Sequence, residues 1–166
     1  MKKQFLVVGS LLALTFSASV AAEGFDADRM YVGGGINQNS VSGLDDATGF
    51  QIFAGYNLGD VFDVEGLDLL IEGGYWTSGD FEGGTDFFGN TFTMSADGIW
   101  GTAVFDYAVN PDFSLLGRAG LDLGDDDGLM IGFGGGWNLN PEIQLRGEYV
   151  IRDNIDSLQF NVTYDF

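Results

Sequence analysis

The sequence predicts an all-β chain: an eight-stranded, antiparallel, up-and-down transmembrane β-barrel, preceded by a cleavable signal peptide. Three observations predict it. The last nine residues alternate without a break between apolar (Leu158, Phe160, Val162, Tyr164, Phe166) and polar (Gln159, Asn161, Thr163, Asp165). A strand points successive side chains to opposite faces, so one face of this segment meets an oily medium and the other meets polar groups. Eight alternating segments of this kind recur, separated by Gly, Asp, Asn and Pro. An export-type leader precedes them, which is the setting in which such strands build a membrane barrel.

The leader has Lys2 and Lys3 as its positive region and an apolar run from Phe5 to Phe16, interrupted by Gly9, Ser10 and Thr15. Small residues from Ser17 to Ala22 place cleavage after Ala22. The run is shorter than the roughly 18 residues that a membrane helix needs. Residues 1–22 are therefore expected to be the signal peptide and residues 23–166 the barrel domain. No other stretch is apolar and long enough for a spanning helix, so membrane insertion must use strands.

The first strand is expected at Arg29–Asn37, with Met30, Val32, Gly34 and Ile36 on its apolar parity. The second covers Phe50–Asn57, showing Phe50, Ile52, Ala54 and Tyr56, and the third Leu67–Trp76, showing Leu67, Leu69, Ile71, Gly73 and Tyr75. Ile99–Val109 forms the fourth and Phe113–Leu123 the fifth, with Phe105, Tyr107, Leu115 and Leu121 among their outward residues. Leu129–Asn138 and Ile143–Arg152 follow, and the terminal segment is the eighth. No residue on these parities is charged or a carboxamide. All four arginines that remain after cleavage (Arg29, Arg118, Arg146, Arg152) fall on the opposite parity, beside Gln51, Glu72, Asp106, Asp122, Gln144 and Glu148. A narrow barrel interior filled with side chains accommodates such a mixture.

The connections agree with an amino terminus delivered to the periplasm. Asn110-Pro111-Asp112 and Leu139-Asn140-Pro141-Glu142 are short turns holding the chain's only prolines, while Leu58–Gly66 is longer than the pattern predicts. The outward connections are Gln38–Gly49, the long Thr77–Gly98, Gly124–Gly128 and Asp153–Ser157. Even-numbered strands end in Tyr56, Tyr107, Trp137, Tyr164 and Phe166, the expected interfacial aromatic girdle. The triplets Gly33–Gly35 and Gly134–Gly136 suit sharp curvature and close packing rather than a phosphate cradle.

Composition excludes several functions. The formal charge of −19 becomes −21 once Lys2 and Lys3 leave, and no lysine remains. A surface this acidic repels nucleic acid and anionic headgroups. The chain has no cysteine and no histidine, so neither disulfides nor a Ser-His-Asp or Cys-His centre can form. No enzyme activity and no cofactor are expected. Asp125-Asp126-Asp127-Gly128 lacks the alternating ligands and closing glutamate of an EF-hand loop, which favours a tight outer hairpin over a calcium site.

Two constellations remain. Glu72, Asp106, Arg118, Asp122, Arg146 and Glu148 all point inward, and buried charges must pair or leave their desolvation uncompensated. The expectation is an arginine–carboxylate network across the lumen, serving either as a plug or as the gate of a narrow ion path. The long loop carries Phe81, Phe87, Phe88, Phe92 and Met94. These mark a candidate partner surface, or they continue the third and fourth strands above the membrane, or they fold over the barrel mouth.

The signal peptide, eight alternating strands, long outer loops and terminal Thr163-Tyr164-Asp165-Phe166 resemble the small eight-stranded outer-membrane β-barrel family of the OmpA membrane domain, OmpX and the opacity-type proteins. The resemblance covers the whole chain after the leader. It differs in the absence of a peptidoglycan-binding segment and in two very short outer loops. It implies a monomer in the bacterial outer membrane, surrounded by lipid and lipopolysaccharide, whose closing Phe166 is read by the barrel-assembly machinery. It also implies a structural or adhesin-like surface role, with a host or surface ligand reached through residues 77–98. The alternative is a narrow porin-like channel for ions or small solutes.

Overall fold

The computed structural model describes residues 26–85 and 91–166, so the expected leader over residues 1–22 and Phe87 and Phe88 lie outside the described residues. After one turn of 3-10 helix at Ala27–Arg29 come β1 (Met30–Ser40), β2 (Ala47–Gly59), β3 (Leu67–Thr85), β4 (Thr91–Asn110), β5 (Phe113–Gly124), β6 (Gly128–Asn140), β7 (Ile143–Ile151) and β8 (Asp156–Asp165). Each strand pairs antiparallel with its sequence neighbour, and β1 pairs with β8 to close the barrel. The seam runs from Tyr31 opposite Asp165 to Ser40 opposite Asp156, and the Phe166 amide donates to the Met30 carbonyl. Closure leaves no edge through the barrel wall, which a strand-built membrane span requires.

Exposure is inverted relative to a water-soluble protein. Leu129, Phe133, Leu123 and Ile52 are between 59% and 74% exposed, whereas Glu72, Glu148, Arg118 and Arg146 are at most 5% exposed. Water would penalise that oily belt, and hydrocarbon would not.

The Asn-Pro-acid turns form by one device used twice. The Asn110 side-chain carbonyl accepts from the amides of Asp112 and Phe113, and that of Asn140 accepts from Glu142 and Ile143. Each asparagine satisfies two amides that the hairpin would otherwise leave unpaired, and proline fixes the backbone between them. The longer connection after β2 turns through Asp63 at φ 55° and lays Phe62 against Phe105 on the lipid side, ring centres 5.9 Å apart.

Three departures from the sequence reading stand out. β3 and β4 run far beyond the expected ends at Trp76 and Ile99, so that of the readings open for residues 77–98 the strand-continuing one holds, and most of the segment is a two-stranded ribbon extending the barrel wall. The remaining outer connections shorten to match, because β2 starts at Ala47 and β8 at Asp156. Arg29 lies in the 3-10 turn at the rim rather than inside, partly exposed, with its guanidinium 5.5 Å from the Tyr56 ring.

Candidate functional site: a filled lumen beneath an outward ribbon

The lumen is packed in layers. At its centre Arg118 on β5 donates two parallel hydrogen bonds to Glu148 on β7, each 2.7 Å, and its NH2 lies 3.3 Å from Glu72 Oε2 on β3. Arg146 on β7 donates to Glu72 Oε1 and to Gln144 Oε1, and the Tyr31 hydroxyl donates to Glu72 Oε1 at 2.6 Å. Two guanidiniums and two carboxylates thus form one neutral cluster. Each guanidinium also rests near a ring: Arg118 lies 5.5 Å from the Trp100 ring and Arg146 5.1 Å from that of Tyr31. Desolvated charges persist in such a place because each is ion-paired and hydrogen-bonded, although Glu72 Oε2 has only the ion-pair contact with Arg118.

A second, smaller pair sits nearer the outer mouth. Arg152 Nε donates to Asp122 Oδ2 at 2.8 Å, its NH1 donates to Ser157 Oγ at 2.8 Å, and its guanidinium lies 4.3 Å from the Trp76 ring. The Ser157 hydroxyl donates onward to Asn39, whose amide donates to Asn37 and to the Ser78 carbonyl. Between the two charged layers, Gln51 donates to Gln159 and Asn161, joining β2 to β8.

Of the six charges singled out from the sequence, Glu72, Arg118, Arg146 and Glu148 meet directly, and Asp122 belongs to the separate pair with Arg152. Asp106 joins no arginine ion pair among the described residues. It faces an 80 Å³ polar cavity at the periplasmic end with Tyr31, Asn57, Asn138, Gln144, Arg146 and Asp165. Tyr31, Trp76 and Trp100 fall on the same parity as these charges, and their rings seat the three guanidiniums. Arg118 and Glu148, and likewise Asp122 and Arg152, are 30 residues apart. That repeated spacing, from β5 to β7 and to the residue just past its end, is the signal that could have matched the partners.

Of the girdle residues, Tyr107, Trp137, Tyr164 and Phe166 are exposed on the outer wall at the periplasmic end. Trp137 stacks on Phe113 at 5.9 Å, and Tyr164 meets Phe166 edge-to-face at 5.7 Å. Tyr56 is half-buried beneath Arg29, and its hydroxyl accepts from the Asp26 amide at 3.4 Å.

Over the outer mouth, β3 and β4 rise as the ribbon. Gly79, at φ 72°, lies in a bulge where pairing jumps from Thr77 to Asp80, and the extra residue turns Phe81 inward. Phe81 is fully buried in the apolar cluster that also holds Ala47, Trp76, Ala96 and Ile155, and Val41 and Leu44 of the β1–β2 connection pack against that cluster. Phe81 therefore covers the mouth rather than offering an exposed partner surface, whereas Phe92 is 62% exposed. Asp126, in the turn between β5 and β6, is also buried. Its carboxylate accepts from the amides of Asn154 and Ile155 and from the Asn154 side chain, fixing the β7–β8 connection. Among the described residues no acidic group has the clustering that would hold a metal ion.

The model of the family described as outer membrane protein beta-barrel domain matches residues 8–166. No curated protein matches the chain. Among solved structures, a designed transmembrane β-barrel is 16% identical at TM-score 0.58, covering 86% of this chain and 98% of its own. Ail, the attachment invasion locus protein of Yersinia pestis, solved with the heparin analogue sucrose octasulfate, is 15% identical at TM-score 0.55, covering 82% of this chain and 97% of its own. At these identities the likeness is one of fold.

Proposed function

Because the chain belongs to the outer-membrane β-barrel domain family, we propose that it is a monomeric, non-enzymatic barrel of the bacterial outer membrane that holds an interaction surface outside the cell. In this reading residues 1–22 direct export, residues 23–166 form the barrel, and Phe166 closes the strand read during assembly. The observation that carries it is the ribbon of β3 and β4, which continues past the ends of the neighbouring strands above a lumen filled by a neutral ion cluster and covered by Phe81. An interior just wide enough for its own side chains makes a rigid pedestal and a poor conduit. The partner differs in charge from a polysulfated ligand of the kind solved with Ail. Asp45, Asp46, Asp80, Glu82, Asp125, Asp127 and Asp153 are exposed at the outer end, and the one base there, Arg152, is buried and paired.

The test is adhesion of cells displaying the full-length chain, compared with a variant in which residues 80–95 are replaced by a two-residue turn. Loss of binding with unchanged surface display supports the reading; equal binding by both refutes it. The second reading, a narrow ion path, draws on the polar cavity at the periplasmic end. Planar-bilayer recording decides it. A steady conductance in the wild type, altered by Arg118→Ala or Arg146→Ala, would replace the pedestal with a channel.

A further inference from the structure

The ribbon has one open edge. β4 pairs with β5 only up to Gly98 opposite Gly124, Asp125 occupies the backbone of Asp97, and beyond it residues 91–96 have β3 on one side and no strand on the other among the described residues. The opposite edge is partly occupied, since the Asp45 amide donates to the Glu82 carbonyl at 3.0 Å and Leu44 lies against the Gly83 position. Phe92, Thr93, Met94 and Ser95 are all exposed, so both faces of β4 are open beside its free edge.

The two faces differ in chemistry. Trp100, Gly98 and Ala96 point inward, and the same parity puts Met94 and Phe92 on the mouthward face, where Phe92 lies against the Gly83 position. Thr93, Ser95 and Asp97 take the outward face, opposite Glu82, Asp80 and Thr77 of β3. At the foot of the edge Asp97 and Asp125 are tied together, the Asp125 amide donating to the Asp97 carbonyl and the Asp97 amide to the Asp125 carboxylate.

We propose that the β4 edge over residues 91–96 accepts an extended segment of a partner polypeptide as an added strand, with apolar side chains against Phe92 and Met94 and Lys or Arg side chains on the face of Asp80, Glu82 and the Asp97 carboxylate. The inference rests on the surface-interaction reading and names the partner's chemistry. An exposed strand edge presents unpaired backbone donors and acceptors that an incoming strand satisfies, while alternate side chains set specificity. Charge selects the occupant. A second copy of this chain would bring the same acidic ribbon and be repelled, whereas a basic alternating segment is drawn in.

The experiment uses the full chain in lipid nanodiscs and a fluorescent decapeptide of alternating Val and Lys. Its controls are the Val-Glu counterpart and two versions N-methylated on one or the other set of alternate amides. Saturable binding that weakens with salt, disappears in one N-methylated version and is absent for the Val-Glu peptide is the expected result. The double change Phe92→Ser with Met94→Ser touches exposed positions only and should weaken binding about tenfold or more, since two apolar contacts are lost. Asp80→Asn with Glu82→Gln should weaken it and flatten the salt dependence. Equal binding by both N-methylated versions, equal binding of the Val-Glu peptide, no binding at all, or a dimer formed through residues 91–96 would each overturn the proposal. If ribbon-dependent adhesion persists alongside any of these, the edge inference falls alone. If deleting the ribbon leaves adhesion unchanged, the broader reading falls whatever the peptide does.

Discussion

Arg118 and Glu148 meet in a two-pronged bond across the lumen: Nε donates to Oε2 and NH2 to Oε1, each at 2.7 Å, with both side chains almost wholly buried. Removing Glu148 leaves Arg118 and Arg146 to share Glu72 alone, so the buried cluster keeps one uncompensated charge. Glu148→Ala should therefore destabilise the barrel by about 3–5 kcal/mol. Replacing both residues, as Arg118→Met with Glu148→Leu, should cost much less, although Glu72 then keeps only Arg146 and Tyr31. Urea-driven unfolding in lipid vesicles measures both, and equal costs for the single and double changes would contradict the pairing.

Two glycines on neighbouring strands should respond oppositely to alanine. A Cβ at Gly134 would lie 2.1 Å from the Gly147 carbonyl oxygen, whereas one at Gly117 meets nothing within 4 Å on the lipid side. Gly117→Ala should stay within about 0.5 kcal/mol of the parent, while Gly134→Ala must move the β6–β7 wall and should cost more than about 2 kcal/mol. Folding yield and unfolding midpoint in the same vesicles check the contrast.

Ala119 is exposed on the outer wall in the middle of β5, flanked by Ala103 and Ile131. If hydrocarbon lies against this surface, Ala119→Arg should cost about 2–4 kcal/mol. The inward neighbour Gly120 reports something different, because its Cβ would press on the Gly101 carbonyl oxygen. A cost for Ala119→Arg that vanishes near zero would place water, not lipid, at mid-strand.

The buried Asp126 carboxylate holds three donors of the β7–β8 connection. Asp126→Ala should lower stability by about 1–3 kcal/mol by leaving buried amides unsatisfied. Its effect should be the same with calcium or with a chelator. Thermal unfolding followed by circular dichroism under both conditions separates a structural cap from a metal ligand.

The barrel wall was legible because the period of two is local: Leu158 to Asp165 states it residue by residue, and the structure keeps that parity around the closed sheet. The height of the ribbon was legible only as one of three readings of residues 77–98. The bulge at Gly79 puts Ser78 and Phe81 on the same inward side, three residues apart, so alternation breaks where the strand continues. Alternation alone therefore leaves Phe81 open to a partner-surface, a strand or a mouth-covering reading, and the bulge makes it the buried residue over the mouth. The inward position of the charges could be read from parity, but their partners depend on cross-barrel proximity, as in Arg146 with Glu72, 74 positions apart. That is why Asp106 was grouped with the cluster and Arg152 left out of it.

Three of the four bases in residues 23–166 are sequestered inside the wall, leaving Arg29 at the rim. Trypsin should therefore nick the folded protein after Arg29 and leave residues 30–166 as one resistant piece, while the unfolded chain is cut at Arg118, Arg146 and Arg152 as well. A single digestion would thus report, band by band on a gel, what fraction of any preparation had reached the closed barrel.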